Sequence, residues 1–301
     1  MHVAVIGAGA LGRVFGVLLA DAGQRVTFVV RPSRADETTP FVIERRNGDR
    51  RRRQIRSPVR AIDIPQDADL ALLAVRVDQL DDSIEGLIRR GPAVPLVSLT
   101  PLLPLTLQRV SEWTSGRCFV AMPSLAASAR TDGTDDYWAF RLSPSLFEPG
   151  APEVAGLVQA LVDSKLPVRL ATDVRTRNPA LTMAFFPITV AVSRAGGIDE
   201  LLRDAPLAEL GARATRETLQ LAREVGPIDT AVAMALRAVT PRTLRGAFLL
   251  LVRLFPRATR FVDTHFGDKL GDQHRRIGAE ILELGEQHGI ELPSLGRLLS
   301  T

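Results

Sequence analysis

The run Gly7-Ala8-Gly9-Ala10-Leu11-Gly12, directly behind the apolar stretch Val3 to Ile6, constrains this chain more than any other feature. A G-x-G-x-x-G spacing says little alone, but here its context is complete. A strand-like run precedes it. After it, Val14, Phe15, Val17, Leu18 and Leu19 recur at helical spacing up to Gly23, and a second strand-like run, Val26 to Val30, follows. In such a unit Gly7 permits the tight turn, Gly9 lets a pyrophosphate approach the backbone, and Gly12 lets helix and strand pack closely. The helix N-terminus offers unpaired N–H groups and a positive dipole end to phosphate. Gly7, Ala8, Gly9, Ala10, Leu11 and Gly12 are therefore the expected contacts of a dinucleotide. The alternative, a glycine-rich turn with no ligand, leaves this context unexplained.

Arg31 closes the second strand and selects between dinucleotides. A 2′-hydroxyl calls for Asp or Glu here, whereas Arg accommodates a 2′-phosphate. No acidic residue follows Val30 until Asp36, and Arg34 offers a second cation. The expected cofactor is NADP(H), against the simpler reading of Arg31 as a surface residue at a strand end.

The first part of the chain continues to alternate. Ile43 to Ile55 reads as a β-hairpin around a two-residue Asn47-Gly48 turn. Buried strands are expected at Leu70 to Val75, Val94 to Leu99 and Phe119 to Met122. Beyond about Ala180 the pattern changes: Leu207 to Val225 and Gln273 to His288 repeat apolar residues every three or four positions, as amphipathic helices do. The expected fold class is α/β, an N-terminal Rossmann doubly wound sheet followed by a mainly helical C-terminal domain. The boundary falls between 1–174 and 175–301.

Composition narrows the partners. The formal charge of the 301 residues is only +4, and Lys165 and Lys269 are the only lysines among 38 basic residues. Such a surplus suits a phosphate-bearing ligand without calling for nucleic acid. The arginines at 45, 46 and 50–53 lack interleaved aromatics, so a solvated hairpin with a basic edge is expected. Cys118 is alone, which excludes an intrachain disulfide and a multi-cysteine metal site. With Val3 to Ile6 so near Met1 there is no room for a signal peptide, and no apolar run approaches the ~20 residues of a membrane span. A cytoplasmic protein with a small-molecule substrate is expected. The apolar segment Ala247 to Leu254 suits a homodimer interface or the core of its own domain.

These features together resemble the ketopantoate reductase family, in which an NADPH-binding Rossmann domain precedes a helical substrate domain. The resemblance rests on GAGALG at 7–12, Arg31, the hairpin with Asn47-Gly48, DADLALLAV at 67–75 and LGEQHGIELP at 284–293. It implies a reductase whose catalytic lysine lies on the first long helix of the second domain, with Asn four and eight residues later. The chain departs from that pattern. Registered on Pro187, Asn178 stands at the lysine position, and Thr182 and Phe186 at the two Asn positions. Arg76 replaces the family's lysine after the third strand, and Leu99-Thr100-Pro101-Leu102 replaces its Leu-Gln-Asn-Gly, placing Thr100 beside the cofactor. The late glutamate of the family falls near Gln273.

The departures change the expected chemistry. Reduction of a ketone needs a general acid at the developing alkoxide, and neither Asn178 nor Thr182 titrates in the useful range. Arg76 stabilises charge but holds its proton. Three replacements stand in the sequence: His265, with Asp263 to orient it; His274, close to the late glutamate position; and Tyr137. An iminium substrate needs none of them. The run Met183-Ala184-Phe185-Phe186 points to a larger or more apolar substrate than ketopantoate, unless these side chains serve only as core. Three functions follow: an NADPH-dependent reductase of another C=O or C=N bond; a repurposed member doing cyclase or isomerase chemistry, or acting as a nucleotide-binding protein; and ketopantoate reduction by a rearranged site.

Overall fold

A computed structural model describes residues 1–47, 50–240, 242–244, 246, 248–249 and 271–300. By internal contacts the chain divides into two compact units, Met1–Leu102 with Thr106–Arg175, and Leu103–Leu105 with Thr176–Thr301.

The first unit is built on the strands that the sequence marks by their apolar runs. β1 (His2–Ile6) pairs in parallel with β2 (Arg25–Val29) on one side and β6 (Leu70–Leu73) on the other. β5 (Val59–Ala61) lies beyond β2, and β7 (Leu96–Ser98) and β8 (Cys118–Met122) continue in parallel beyond β6. Two strands the sequence did not reveal, β11 (Ser145–Phe147) and β12 (Val168–Leu170), extend the sheet to eight, with β11 antiparallel to β8. The strand order reverses at β1, between β2 and β6. Open α/β sheets bind ligands at such a switch point, outside the carboxyl ends of the strands.

Alternation along the central strands feeds two cores. Val3, Val5, Leu70 and Leu72 face α1 (Ala10–Asp21) and α4 (Pro152–Asp163). Ala4, Ile6, Ala71 and Leu73 face α2 (Asp82–Arg90) and α3 (Pro104–Trp113). Strands buried on both faces read as continuous apolar runs, which is why these were visible in the sequence.

A second, four-stranded sheet packs on α1. β3 (Phe41–Arg45) and β4 (Arg52–Ile55) form the expected hairpin, and β3 also pairs with β10 (Thr134–Ala139), itself paired with β9 (Leu125–Ala129). The strands end at Arg45 and resume at Arg52, and Gly48 of the expected two-residue turn lies outside the described residues. Asn47 exchanges two hydrogen bonds with the backbone of Ala139, acting as an extra rung toward β10. The basic-edge expectation is corrected in part. Arg45 and Arg53 point inward and are 6% exposed. Arg53 Nε donates to Asp21 at 2.7 Å, and its Nη1 to the Tyr137 hydroxyl.

The second unit is helical throughout its described residues. α5 (Val174–Ala195) enters from the first unit, and α6 (Ile198–Leu201), α7 (Ala205–Val225) and α8 (Thr230–Arg237) follow. α9 (Gly271–Gln287) and α10 (Pro293–Ser300) close the chain. α10 packs along α7, where Glu217 caps it by accepting from the N–H groups of Ser294 and Leu295. The mainly helical expectation therefore holds. No described helix is long and apolar enough to cross a membrane.

Candidate functional site

At the switch point each glycine of the turn has its own constraint. Gly7 has φ +100°, and a Cβ there would lie 2.8 Å from Val75 Cγ1 and 3.0 Å from the Ala74 carbonyl. Gly12 is tighter: its Cβ would lie 2.0 Å from the Gly7 carbonyl oxygen. Gly9 is the reverse, with nothing within 4 Å of an added Cβ. The chain holds two glycines for close packing and one facing open space, which is the cradle a dinucleotide needs.

Gly9 is the N-cap of α1 and no side chain caps the helix. No acidic residue occupies the first turn, so no carboxylate of that turn competes with an arriving phosphate. Ala8 is buried, whereas Ala10 and Leu11 are partly exposed beside Gly9. These residues fit the phosphates of a dinucleotide.

Arg31 is exposed at the end of β2, in extended backbone before the short turn Pro32–Arg34, and makes no ion pair among the described residues. Arg34 does not share that freedom. It forms a bidentate pair with Glu37, at 2.9 and 3.0 Å, which raises its own pKa and lowers that of Glu37. Arg60, on β5 next to β2, was not singled out by the sequence because its short strand carries no alternation. It bonds the carbonyls of Glu37 and Thr39 and stacks 4.7 Å over the Phe41 ring, and burial lowers its pKa. Arg13, one residue past the glycine motif, stands 5.6 Å over the same ring. Its Nη2 donates to Asp135 at 2.6 Å, tying the first turn of α1 to β10. Asp135 is only 1% exposed, and burial pushes its carboxyl up to about 6 against the opposing pull of Arg13.

Two other residues expected in the first unit are already engaged. Arg76, just after β6, clasps Asp78 with Nε at 3.1 Å and Nη2 at 2.8 Å. Thr100 is 3% exposed, and its hydroxyl donates to the Val75 carbonyl, so it offers a ligand no unused O–H. Tyr137 is removed from the acid candidates: it is 1% exposed within the small sheet and its hydroxyl is held by Arg53.

In the second unit, Asn178, Thr182 and Phe186 lie one turn apart on α5, as their spacing requires. Asn178 is buried and accepts from the Thr182 hydroxyl at 3.4 Å. Phe186 is buried and meets the His274 ring edge-to-face at 5.9 Å. Phe185 points the other way and is 42% exposed. The structure thus joins Phe186, at one expected Asn position, to His274, near the expected glutamate position. His274 is 9% exposed, and burial lowers its pKa, favouring the neutral ring. His265 and Asp263 lie outside the described residues.

Comparisons with known proteins agree with this architecture. Residues 3–94 match the family model of ketopantoate reductase PanE/ApbA, so the likeness to that family is shown over the glycine turn and the strands around it. The PanE/ApbA family ketopantoate reductase from Ralstonia eutropha JMP134 superposes with a TM-score of 0.75 at 20% identity, covering 100% of this chain and 96% of that one. A dimeric ketopantoate reductase from Staphylococcus aureus gives a TM-score of 0.69 at 12% identity, covering 100% and 96%. D-mandelate dehydrogenase in a ternary complex with NADH and anilino(oxo)acetate gives 0.69 at 16% identity, covering 99% and 96%. These likenesses establish the fold. No curated protein matches the chain in sequence.

Proposed function

We propose, with the match of residues 3–94 to the ketopantoate reductase family as premise, that this protein is an NADP(H)-dependent oxidoreductase acting on a C=O or C=N bond. The observation that carries the reading is the glycine turn, in which Gly7 and Gly12 are closed by packing while Gly9 faces open space beside the uncapped helix end. Bound NADPH supplies a hydride. The residues at 7–12 hold the pyrophosphate, and Arg31 takes the 2′-phosphate without giving up another ion pair. Arg60 and Arg13 add positive potential near that end of β2.

The substrate falls to the second unit, where the α5 stripe differs from the family pattern. Asn178 and Thr182 offer neutral hydrogen bonds, and Phe186 replaces a polar anchor with an aromatic face. This combination favours a substrate more apolar than ketopantoate. We assign proton exchange to His274, which meets Phe186 of the α5 stripe. Its lowered pKa suits a neutral ring that accepts the proton of an alcohol in the oxidative direction, and returns it in reduction. A homodimer in the cytoplasm is the expected setting, as the S. aureus relative is described as dimeric.

The test is NADPH and NADH titration followed by turnover with aryl and alkyl 2-oxo acids, ketones and cyclic imines. Expected are tighter binding of NADPH and oxidation of it by an apolar member of the panel. Replacing Arg31 by Asp should reverse the cofactor preference. Binding of NADPH without turnover on any member would favour the nucleotide-binding reading, and conversion of a substrate without reduced cofactor would favour non-redox chemistry.

A further inference from the structure

Where β3 and β10 of the first unit end lie two adjoining grooves that the proposed reaction does not use. One, of about 320 Å³, is lined by Arg45, Arg141, Lys165, Leu166 and Pro167. The other, of about 460 Å³, is lined by Arg45, Asn47, Ala139, Phe140, Arg141 and Leu142. Both volumes lie within the range of small-molecule sites. They share Arg45 and Arg141.

Arg45 is unusual among the inward arginines of this unit. Arg53 has the Asp21 carboxylate at 2.7 Å, and Arg13 has Asp135 at 2.6 Å. Arg45 is equally buried, yet its donors meet only neutral oxygens at long range: Asn47 Oδ1 at 3.4 Å, the Lys165 carbonyl at 3.5 Å and the Ala139 carbonyl at 3.3 Å. Among the described residues no carboxylate pairs with Arg45, Arg141 or Lys165. A buried charge without a counter-charge is costly, and an anion in the groove would offset that cost. Lys165 also holds left-handed backbone, φ 67°, a conformation that lysine adopts at a cost.

The second groove supplies a different chemistry. Phe140 is 47% exposed and Leu142 fully so, flanking Arg141 on the same stretch of chain. Three cations beside two solvent-facing apolar side chains match a ligand with a charged head and an apolar body. We propose that the two grooves form one binding site for a small amphipathic anion. Its phosphate or carboxylate head would sit on Arg45, Arg141 and Lys165, and its apolar body against Phe140 and Leu142. The site is separate from the glycine turn and does not depend on the oxidoreductase reading.

The experiment is calorimetric titration of NADPH-saturated protein with hexyl phosphate and with inorganic phosphate, at constant ionic strength. Saturating the glycine turn removes its phosphate-binding positions from the readout. Expected is saturable binding of one hexyl phosphate, at least about tenfold tighter than inorganic phosphate, which is the effect of burying roughly two methylene groups. The double variant Arg141→Ala/Lys165→Ala changes exposed side chains only and should lose both ligands. Phe140→Ser/Leu142→Ser should keep phosphate and lose the advantage of the hexyl chain. Absence of saturable binding would overturn the proposal, as would binding unchanged by Arg141→Ala/Lys165→Ala. Equal affinity for the two probes would also overturn it. So would attachment to phosphatidylserine vesicles without binding of hexyl phosphate, which would mark the patch as a membrane-docking surface.

Discussion

Between Gly7 and Gly12 the decisive groups are backbone atoms, whereas along Asn178, Thr182 and Phe186 they are side chains. At the turn, the constraint is where a Cβ is impossible and where it would meet nothing. On α5 Asn178, Thr182 and Phe186 recur at one-turn spacing, and in the proposed function their chemistry selects the substrate. A fold can therefore keep its cofactor turn while its substrate residues are exchanged. Three of the departures from the family pattern, Asn178, Thr182 and Phe186, fall on that exchangeable side, while Arg76 and Thr100 lie in the first unit.

The comparison is broken most forcefully at Gly12. Alanine there puts a methyl group 2.0 Å from the Gly7 carbonyl, so helix and strand must separate. Gly12→Ala is expected to lose more than about 3 kcal/mol of stability, and cofactor binding with it, read by thermal melting and NADPH titration. On the α5 side, His274→Gln keeps a polar side chain of similar size. It should lower kcat on the substrate found in the panel by about a hundredfold or more, with NADPH affinity unchanged. An unchanged kcat would remove His274 from proton transfer.

Gly9→Val sharpens the contrast, because the open space admits the side chain and the extended backbone at Gly9 tolerates it. The melting temperature should stay near that of the native protein while NADPH affinity falls about tenfold, the value of one charge-assisted hydrogen bond. The smallest effect concerns Asp135. Its carboxyl titrates near 6 in the fold, above its ordinary 3.8, so the folded chain binds the extra proton between those values. The stability from that proton is complete below about pH 4 and lost as pH rises through 6. The Tm of the native protein minus that of Asp135→Asn should therefore grow as pH falls from 7 to 5. A difference that stays flat over this window would mean an ordinary carboxyl.

The sequence carried β1, α1, β2 and the central strands clearly, because burial on both faces leaves continuous apolar runs around an obligatory glycine pattern. The small sheet was half hidden. Asp135 and Arg53 occupy inward positions of β10 and β4, inverting the usual alternation, and their pairing with Arg13 and Asp21 is a tertiary fact. Leu125 to Ala129 is too rich in small residues to announce a strand. The place of Arg31 after β2 was legible, but the engagement of Arg34 by Glu37 was not. Nor was the meeting of Phe186 with His274, since the two are 88 positions apart and joined only by helix packing.

The position of α1 between two sheets has a consequence for dynamics. Its residues Val14 to Leu19 are almost entirely removed from solvent, and Arg13 pins its first turn to β10. A helix held on both sides has little freedom left to lose when a ligand arrives, so the turn is preorganised and association needs little induced fit. In hydrogen exchange the amides of residues 14–19 should be among the slowest in the first unit with or without cofactor. Those of Ala10, Leu11 and Gly12, which have no partner within the helix, should be slowed chiefly when the dinucleotide binds.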